Sequence, residues 1–177
     1  MLRRIILTTL LAVTLQEAKA NNLVQYEHQV EAYIEHYKSR LTTTMMNRRD
    51  IQCLAMNIYF EARGERTLGQ VAVANTTINR AGNSNNICRV VYQPNQFSWT
   101  SMPRRRPVGE PWQKALTLAW LAINEPELIR DITRGSNYFH SYRRTPQLFR
   151  QFSHTITIGN HRFYRQDTPV VEVAEAR

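Results

Sequence analysis

The chain has 177 residues, of which 42% are hydrophobic, and a formal net charge of +9 at pH 7. This length and hydrophobic fraction are typical of one globular domain with its own core, which excludes a short peptide or a chain too polar to fold. The positive charge favours an acidic partner, and the anionic envelope of a cell is the first such partner that an exported chain meets.

Residues 1–20 are typical of a secretory signal. A short basic start, Met1–Arg4, precedes an apolar run from Ile5 to Leu15, and a small-x-small pattern ends at Ala20. The apolar run is shorter than the roughly 20 residues that span a bilayer, and no later stretch is longer. We expect export to the periplasm or the extracellular cell wall, which argues against nucleic acid as a partner. An uncleaved anchor and an ordinary buried helix are the alternatives.

Residues 21–47 are predicted to form an N-terminal amphipathic helix. Apolar residues recur three and four positions apart, which places them on one face of a helix. They are Leu23, Tyr26, Val30, Tyr33, Ile34, Tyr37 and Leu41. The charged residues Glu27, Glu31, Glu35 and Lys38 lie elsewhere on the predicted helix. It would either pack on the main domain or form a semi-independent arm.

Two further helices are predicted in the next segment. Asp50 is a suitable N-cap for a helix over 51–63, which Gly64 would end. The sequence Thr67-Leu-Gly-Gln70 resembles a capping box, in which the side chains of the first and fourth residues cap the helix start. This box would open a helix that runs to about Arg80.

The middle of the chain combines an irregular segment with a long helix. We expect a loop over 82–86 and a mostly irregular, cleft-forming segment over 87–109, which contains three prolines. Pro111 favours a helix start and Pro126 a helix end. The buried face of this helix is predicted to comprise Trp112, Ala115, Leu116, Ala119, Trp120 and Ile123.

The C-terminal third changes to strand patterns. Strands are predicted over 137–141, 155–158 and 161–164, with Gly159-Asn160 as the turn of a hairpin. Residues 167–177 carry few structural signals and are predicted to be a flexible tail. Helices followed by a small antiparallel sheet predict an α+β fold, mainly helical, with the main domain over 48–166.

Cys53 and Cys88 are the only cysteines in the sequence. Two thiols in an exported chain favour one disulfide, and two buried free thiols are the alternative.

Glu61 lies in the densest run of chemically capable residues, Cys53–Glu65. On the predicted helix it lies at the edge of the buried face and in the last turn. Partial burial and the negative end of the helix dipole both raise the pKa of a carboxyl group, as a general acid near neutral pH requires. Arg63 or Arg66 would oppose this rise if either lay close, and a solvated glutamate on a surface helix is the alternative.

Several blocks of the sequence resemble one family. They are Asn57-Ile-Tyr-Phe-Glu-Ala-Arg-Gly-Glu65, Gly69-Gln-Val-Ala-Val-Ala74 with Asn79-Arg80, Cys88-Arg-Val-Val-Tyr-Gln93, Gln96-Phe-Ser-Trp99, Gly135-Ser-Asn-Tyr-Phe-His140 and Ile158-Gly-Asn-His-Arg-Phe-Tyr164. In this order and spacing the chain resembles the SleB-like cell wall hydrolases, which include spore-cortex-lytic enzymes. The resemblance covers about residues 50–165.

The resemblance implies a lysozyme-like catalytic domain that cleaves peptidoglycan glycan strands between N-acetylmuramic acid and N-acetylglucosamine. It implies a lytic transglycosylase or a muramidase, with Glu61 as the catalytic acid. A hydrolase commonly needs a second carboxylate, for which Glu65, Glu110 and Asp131 are candidates. Glu65 is the possible second acid, although neutralising a nearby arginine is the stronger interpretation. Without a compelling second acid, lytic transglycosylation is favoured.

The remaining polar and aromatic residues of these blocks are predicted to line a substrate cleft. The set comprises Asn79, Gln96, Phe97, Ser98, Tyr138, His140, His161 and Tyr164. Asn79 would alternatively cap a helix, and Trp99 is as suited to the core as to a sugar contact. A zinc site formed by His140, His154 and His161 is the weaker alternative because the tight spacing of known zinc motifs is absent. We therefore expect no metal or other cofactor. We also expect a monomer.

Two other classes of function stay open at this point. A wall amidase would cleave the peptide from the glycan with an activated water. A non-catalytic cationic protein would only bind the envelope.

Overall fold

The computed structural model describes residues 2–82, 86–103, 105–143 and 146–166, with side chains from residue 17 onward. Within these ranges, six α-helices precede a three-stranded sheet. The helices are α1 (Leu2–Lys38), α2 (Thr43–Met46), α3 (Arg49–Ala62), α4 (Thr67–Ala81), α5 (Ile87–Val91) and α6 (Glu110–Asn124). The strands are β1 (Tyr138–Ser141), β2 (Ser153–Ile158) and β3 (His161–Arg165). Short 3-10 helices cover Ser98–Ser101 and Gln147–Gln151. The predicted tail lies outside the described residues, as does the middle of the loop predicted over 82–86.

Helix α6 forms the centre of the core. It begins as predicted, with Pro111 in its first turn and Gly109 as the preceding residue, and every residue from Ala115 to Ala122 is buried. A helix that is buried all round lies inside the domain rather than on its surface. Helices α1, α3 and α4 pack around it.

Helix α1 packs on the main domain. The side chains of Tyr26, Val30 and Ile34 are at most 5% exposed and belong to the core. The helix differs in extent from the predicted 21–47, since it begins at Leu2 and ends at Lys38. It ends there because Thr42 starts a new helix, α2, by accepting a hydrogen bond from the backbone N–H of Met45 with its side chain.

The predicted capping box at the start of α4 is wrong. Helix α1 caps α4 instead: the buried Glu27 carboxylate accepts the backbone N–H of Leu68 at 3.2 Å and pairs with Arg66 at 2.5 Å. Thr67 donates its hydroxyl hydrogen to Glu31 at 2.8 Å and is therefore not the cap. Sequence periodicity placed Glu27 on the polar face of α1, and it is 2% exposed because that face meets a helix N-terminus.

The predicted cap of α3 is wrong as well. The helix begins at Arg49, so that Asp50 lies within its first turn and pairs with Arg48 at 2.6 Å. An acidic residue still stabilises the first turn there, through the positive end of the helix dipole. At the other end α3 stops at Ala62, and Arg63, not Gly64, is its C-terminal cap residue.

The segment predicted as mostly irregular contains α5 and the 3-10 helix Ser98–Ser101. Cys88, in α5, forms a disulfide with Cys53 in α3, which confirms the predicted bridge. The bridge fixes the start of this segment against the helix that carries Glu61.

The sheet has the strand order β1-β3-β2 and is antiparallel throughout. Gly159, with φ of +54°, and Asn160 connect β2 to β3, as the turn prediction required. Strand β1 pairs with β3 so that Phe139 lies opposite Phe163 and Ser141 opposite His161. The predicted α+β class, mainly helical with a small C-terminal antiparallel sheet, is confirmed. Among the described residues, no helix combines the length and apolar character needed to cross a membrane.

Candidate active site

Glu61 lies in the last turn of α3, one residue before the helix ends. The neighbouring positions Ile58 and Ala62 are buried, whereas the Glu61 side chain is partly exposed and reaches an open cleft. Within the described part of the chain, its carboxyl group has no hydrogen-bond or ion-pair partner.

The burial of Glu61, without a partner among the described residues, raises the pKa of its carboxyl group. Burial raises the pKa of its carboxyl group from 4.5 to about 7, because water no longer solvates the charged form fully. Neither nearby arginine opposes this rise. Arg66 pairs with Glu27, and the guanidinium of Arg63 lies over the ring of Tyr59 at 5.0 Å. Glu61 therefore holds a proton near neutral pH and can both donate and accept one.

The cleft beside Glu61 has a volume of about 930 Å³. Six residues of the predicted site line it together: Glu61, Gln96, Phe97, Ser98, His140 and His161. Further lining residues were not predicted as site residues: Arg80, Asn95, Ser101, Phe139, Ser141, Arg143 and Pro146. Of the residues described as lining this cleft, Glu61 alone is a carboxylic acid.

The 3-10 segment forms one wall of the cleft and is anchored in the core. Trp99 is 7% exposed, donates its Nε1 hydrogen to Asn57 at 3.1 Å and stacks on Phe60 with ring centres 4.8 Å apart. It is therefore a core residue, which resolves the two interpretations left open for it. By fixing the segment against α3, Trp99 holds Phe97 and Ser98 beside the helix that carries Glu61.

Arg80 crosses the cleft from the last turn of α4. Its Nε donates to the carbonyl oxygen of Asn137 at 2.7 Å, and Nη1 donates to Oε1 of Gln96. Its guanidinium also lies 4.3 Å from the centre of the Tyr138 ring. Arg80 thereby joins both walls of the cleft. Its role was not predicted from the sequence, although Arg80 stands in one of the family-like blocks.

The sheet divides the predicted aromatic residues between its two faces. Tyr138, His140 and Tyr164 share one face, where each contacts the ring of Phe149. Nε2 of His140 lies 3.0 Å from the hydroxyl oxygen of Tyr164. Tyr138 and Tyr164 are not among the residues that line the cleft; they support Arg80 and His140, which do.

His161 lies on the opposite face and is 8% exposed, with its ring against Phe139 and Phe163. Its Nδ1 is buried without a hydrogen-bond partner within the described residues. Burial lowers the pKa of this imidazole, although the charge of Glu65 partly opposes that effect. His161 is therefore a neutral group in the cleft at neutral pH.

Glu65 is held away from the cleft lining by the hairpin turn. Its carboxylate accepts the backbone N–H of Asn160 at 3.2 Å and the side-chain amide of Asn160 at 2.7 Å. A Cβ atom at position 159 would overlap its Oε2, and one at position 69 would lie 2.7 Å from its Cβ. Glycines at both positions thus make room for Glu65, which fixes the turn immediately before His161.

The other candidate acids are engaged elsewhere. Glu110 pairs with Lys38 at 2.5 Å. Asp131 accepts hydrogen bonds from the backbone N–H groups of Thr133 at 2.7 Å and Gly135 at 2.8 Å. The amide of Asn79 donates to Asp131 at 3.1 Å, and Asn79 is not among the residues that line the cleft.

The described residues contain no group of three or more histidine, cysteine or acidic side chains that could hold a metal ion. His140 and His161 both line the cleft, whereas His154 contacts Thr157 at 3.0 Å. The three histidines of the alternative zinc site are therefore not gathered around one point.

The comparisons with known proteins identify the family. The sequence model of the cell wall hydrolase family matches residues 64–164. The chain belongs to the cell wall hydrolase family, and the resemblance seen in the sequence is confirmed. The match begins three residues after Glu61, so Glu61 itself lies outside it.

Two solved structures of similar proteins match the chain. The catalytic domain of the SleB protein from Bacillus cereus is 28% identical, with a TM-score of 0.48 over 66% of this chain and 89% of that one. The catalytic domain of the germination-specific lytic transglycosylase SleB from Bacillus anthracis is 27% identical, with a TM-score of 0.49 over 67% and 96%. None of the curated proteins matches the chain significantly.

Proposed function

We propose that this cell wall hydrolase cleaves the bond between N-acetylmuramic acid and N-acetylglucosamine in peptidoglycan as a lytic transglycosylase, with Glu61 as general acid and then base. The observation that carries the proposal is the state of Glu61. It is a carboxylic acid with a pKa of about 7 and no partner among the described residues, beside a cleft lined by polar and aromatic side chains.

The reaction needs one carboxyl group. Glu61 donates its proton to the glycosidic oxygen as the bond to the muramic acid C1 breaks and positive charge develops on the sugar ring. The resulting carboxylate then accepts the proton of the muramic acid 6-hydroxyl as that oxygen bonds to C1. The products are a 1,6-anhydro end and a free 4-hydroxyl, and Glu61 is protonated again.

The surroundings of Glu61 favour this reaction over hydrolysis. A muramidase commonly uses a second carboxylate, as nucleophile or as base for water. No other acid is among the residues described as lining the cleft, and the carboxylate of Glu65 is occupied by Asn160. The intramolecular hydroxyl makes a second acid unnecessary.

The proposal includes export and attraction to the wall. Cleavage of the signal after Ala20 would leave the buried residues of α1 from Tyr26 onward in the mature domain. The net charge of +9 would hold the enzyme near an anionic envelope through long-range attraction. Arg105 and Arg106 line a second groove of about 740 Å³. We further propose that the enzyme acts as a monomer without a cofactor.

The test is digestion of purified peptidoglycan by the wild type, Glu61→Gln and the control Glu110→Gln. Mass spectrometry of the products is expected to show 1,6-anhydromuramic ends for the wild type and the control. The Glu61→Gln variant is expected to lose at least a thousandfold in rate, since general acid catalysis is worth about 100- to 10,000-fold at each proton transfer. Full activity of this variant would contradict the assignment.

The same digest separates the alternatives. Reducing muramic acid ends would establish a muramidase and return Glu65 to consideration as second acid. Released peptides with intact glycan chains would establish an amidase. Salt-sensitive binding without products, unchanged in Glu61→Gln, would establish a non-catalytic envelope-binding protein.

A further inference from the structure

Arg80 is a partly buried cation that has no acidic partner in the part of the chain that the structure describes. Among the described residues, no carboxylate forms an ion pair with it, and its two hydrogen-bond acceptors, the Asn137 carbonyl and the Gln96 amide, are both neutral. A guanidinium carries five N–H donors, of which these bonds use two. Its remaining donors have no partner within the described residues.

A partly buried charge without a counter-charge is unfavourable when no ligand is bound. Burial lowers the pKa of Arg80 because it disfavours the charged form, and the nearby Tyr138 hydroxyl opposes that effect only in part. A guanidinium nevertheless stays protonated in proteins. A site that keeps such a charge facing a cleft gains most from a ligand that brings the missing negative charge.

The charge of the cleft is positive as a whole. Arg143, which is exposed, also lines it, whereas Glu61 is the single acid among the described lining residues. The pKa of Glu61 is shifted by burial without a detectable contribution from Arg80. The cleft therefore presents an acid at one position and a separate anion-attracting group at another.

We propose that Arg80 receives a carboxylate carried by the glycan substrate and is a specificity-determining residue of the cleft. Peptidoglycan offers this group in two places. A muramic acid without a peptide has a free lactyl carboxylate, and a muramic acid with a stem peptide has carboxylates on its amino acids. A planar guanidinium binds a carboxylate through two parallel N–H···O bonds, which distinguishes it from lysine. This proposal rests on the glycan-cleaving function proposed above.

The experiment measures binding in a variant whose proposed chemistry is blocked, so that turnover does not disturb the titration. The full-length Glu61→Gln variant is titrated by calorimetry with tetrasaccharides of two disaccharide units. One pair lacks peptides and has its lactyl carboxylates either free or converted to methylamides. A second pair carries stem peptides whose carboxylates are likewise free or converted.

Free carboxylates are expected to bind about 10- to 100-fold more tightly than methylamides in at least one pair, as is typical of hydrogen bonds to charged groups. A preference in the first pair identifies the lactyl group, and one in the second identifies the peptide. Equal affinities within both pairs would overturn the proposal. This comparison needs no change at Arg80, so it can overturn the proposal even if an Arg80 variant does not fold.

Variants then assign the preference to Arg80. In the same background, Arg80→Lys is expected to reduce it to under about fivefold and Arg80→Gln to abolish it, with methylamide binding little changed. The control Arg40→Gln removes an equal charge from a residue that contacts His36 and is not among the cleft-lining residues, and it is expected to keep the preference. A preference that survives both Arg80 variants would overturn the assignment. Failure of the wild type to cut glycan would instead contradict the proposed function and leave this result standing.

Discussion

Glu61 is expected to make the folded protein less stable above neutral pH. Its carboxyl group has a pKa of about 7 in the folded chain, against an ordinary value of 4.5 that applies when the chain unfolds. The folded state therefore holds the proton more tightly than the unfolded state. The free energy of unfolding therefore falls as the pH rises from about 4.5 to about 7, and above that range the full cost of burying the Glu61 carboxylate is present.

The size of the penalty follows from the two pKa values. Each tenfold change in proton affinity corresponds to about 1.4 kcal/mol, so a rise from 4.5 to about 7 corresponds to roughly 3 kcal/mol. Because the side chain is partly open to the cleft, solvent reduces this, and about 2–3 kcal/mol is expected. Glutamine has nearly the same shape and no charge. Glu61→Gln should therefore be about 2–3 kcal/mol more stable than the wild type at pH 8 and equal to it near pH 4.

Urea unfolding followed by circular dichroism at both pH values measures this difference. Comparing two proteins at one pH cancels the titration of all other groups. The control Glu110→Gln breaks an exposed ion pair with Lys38 and should lower stability at pH 8 by less than about 1 kcal/mol, opposite in sign. If Glu61→Gln gains nothing at pH 8, the carboxylate is not buried without partners, and the argument for Glu61 as the acid fails.

Three further predictions concern the framework around the site. Gly159→Ala places a Cβ atom against the Glu65 carboxylate, in a residue with φ of +54°. We expect the free energy of unfolding, measured in urea, to fall by about 2–4 kcal/mol. A variant as stable as the wild type would contradict the contact. The disulfide between Cys53 and Cys88 closes a loop of 35 residues. Reducing it is expected to lower the free energy of unfolding by about 3–4 kcal/mol, measured with and without reductant. An unchanged unfolding midpoint would show that the bridge is absent. Glu27→Gln removes the charged cap of α4 and is expected to cost about 1–3 kcal/mol in thermal unfolding, whereas a change under 0.5 kcal/mol would show that the cap contributes little.

The family and the outline of the fold were predictable because they depend on local pattern and on motif order. Apolar spacing placed the helices and strands, Pro111 marked the start of α6, and Gly159-Asn160 marked the hairpin. The position of Glu61 at the edge of a buried helix face also followed from periodicity alone. These features need no knowledge of which elements meet.

The errors arose where distant segments supply a partner. The predicted capping box at Thr67 failed because Glu31 accepts the Thr67 hydroxyl hydrogen and Glu27, some forty residues earlier, accepts the backbone N–H of Leu68. Glu65 was expected to neutralise a nearby arginine, whereas Asn160, 95 positions later in the chain, donates two hydrogen bonds to its carboxylate. A hydrogen bond between elements is invisible to a sequence window, however strongly each residue prefers its local role.

The sequence by itself determined the residue types that can move a proton, the one pair of cysteines and the family to which the chain belongs. Only the tertiary structure decided which of these groups act together. The pKa of Glu61 is set by the protein packed around its carboxyl group, and the positive charge of the cleft comes from bringing Arg80 of α4 beside Gln96 and the start of β1. Burial and the absence of a counter-charge depend on packing, because segments far apart in the chain together form the environment of a single residue.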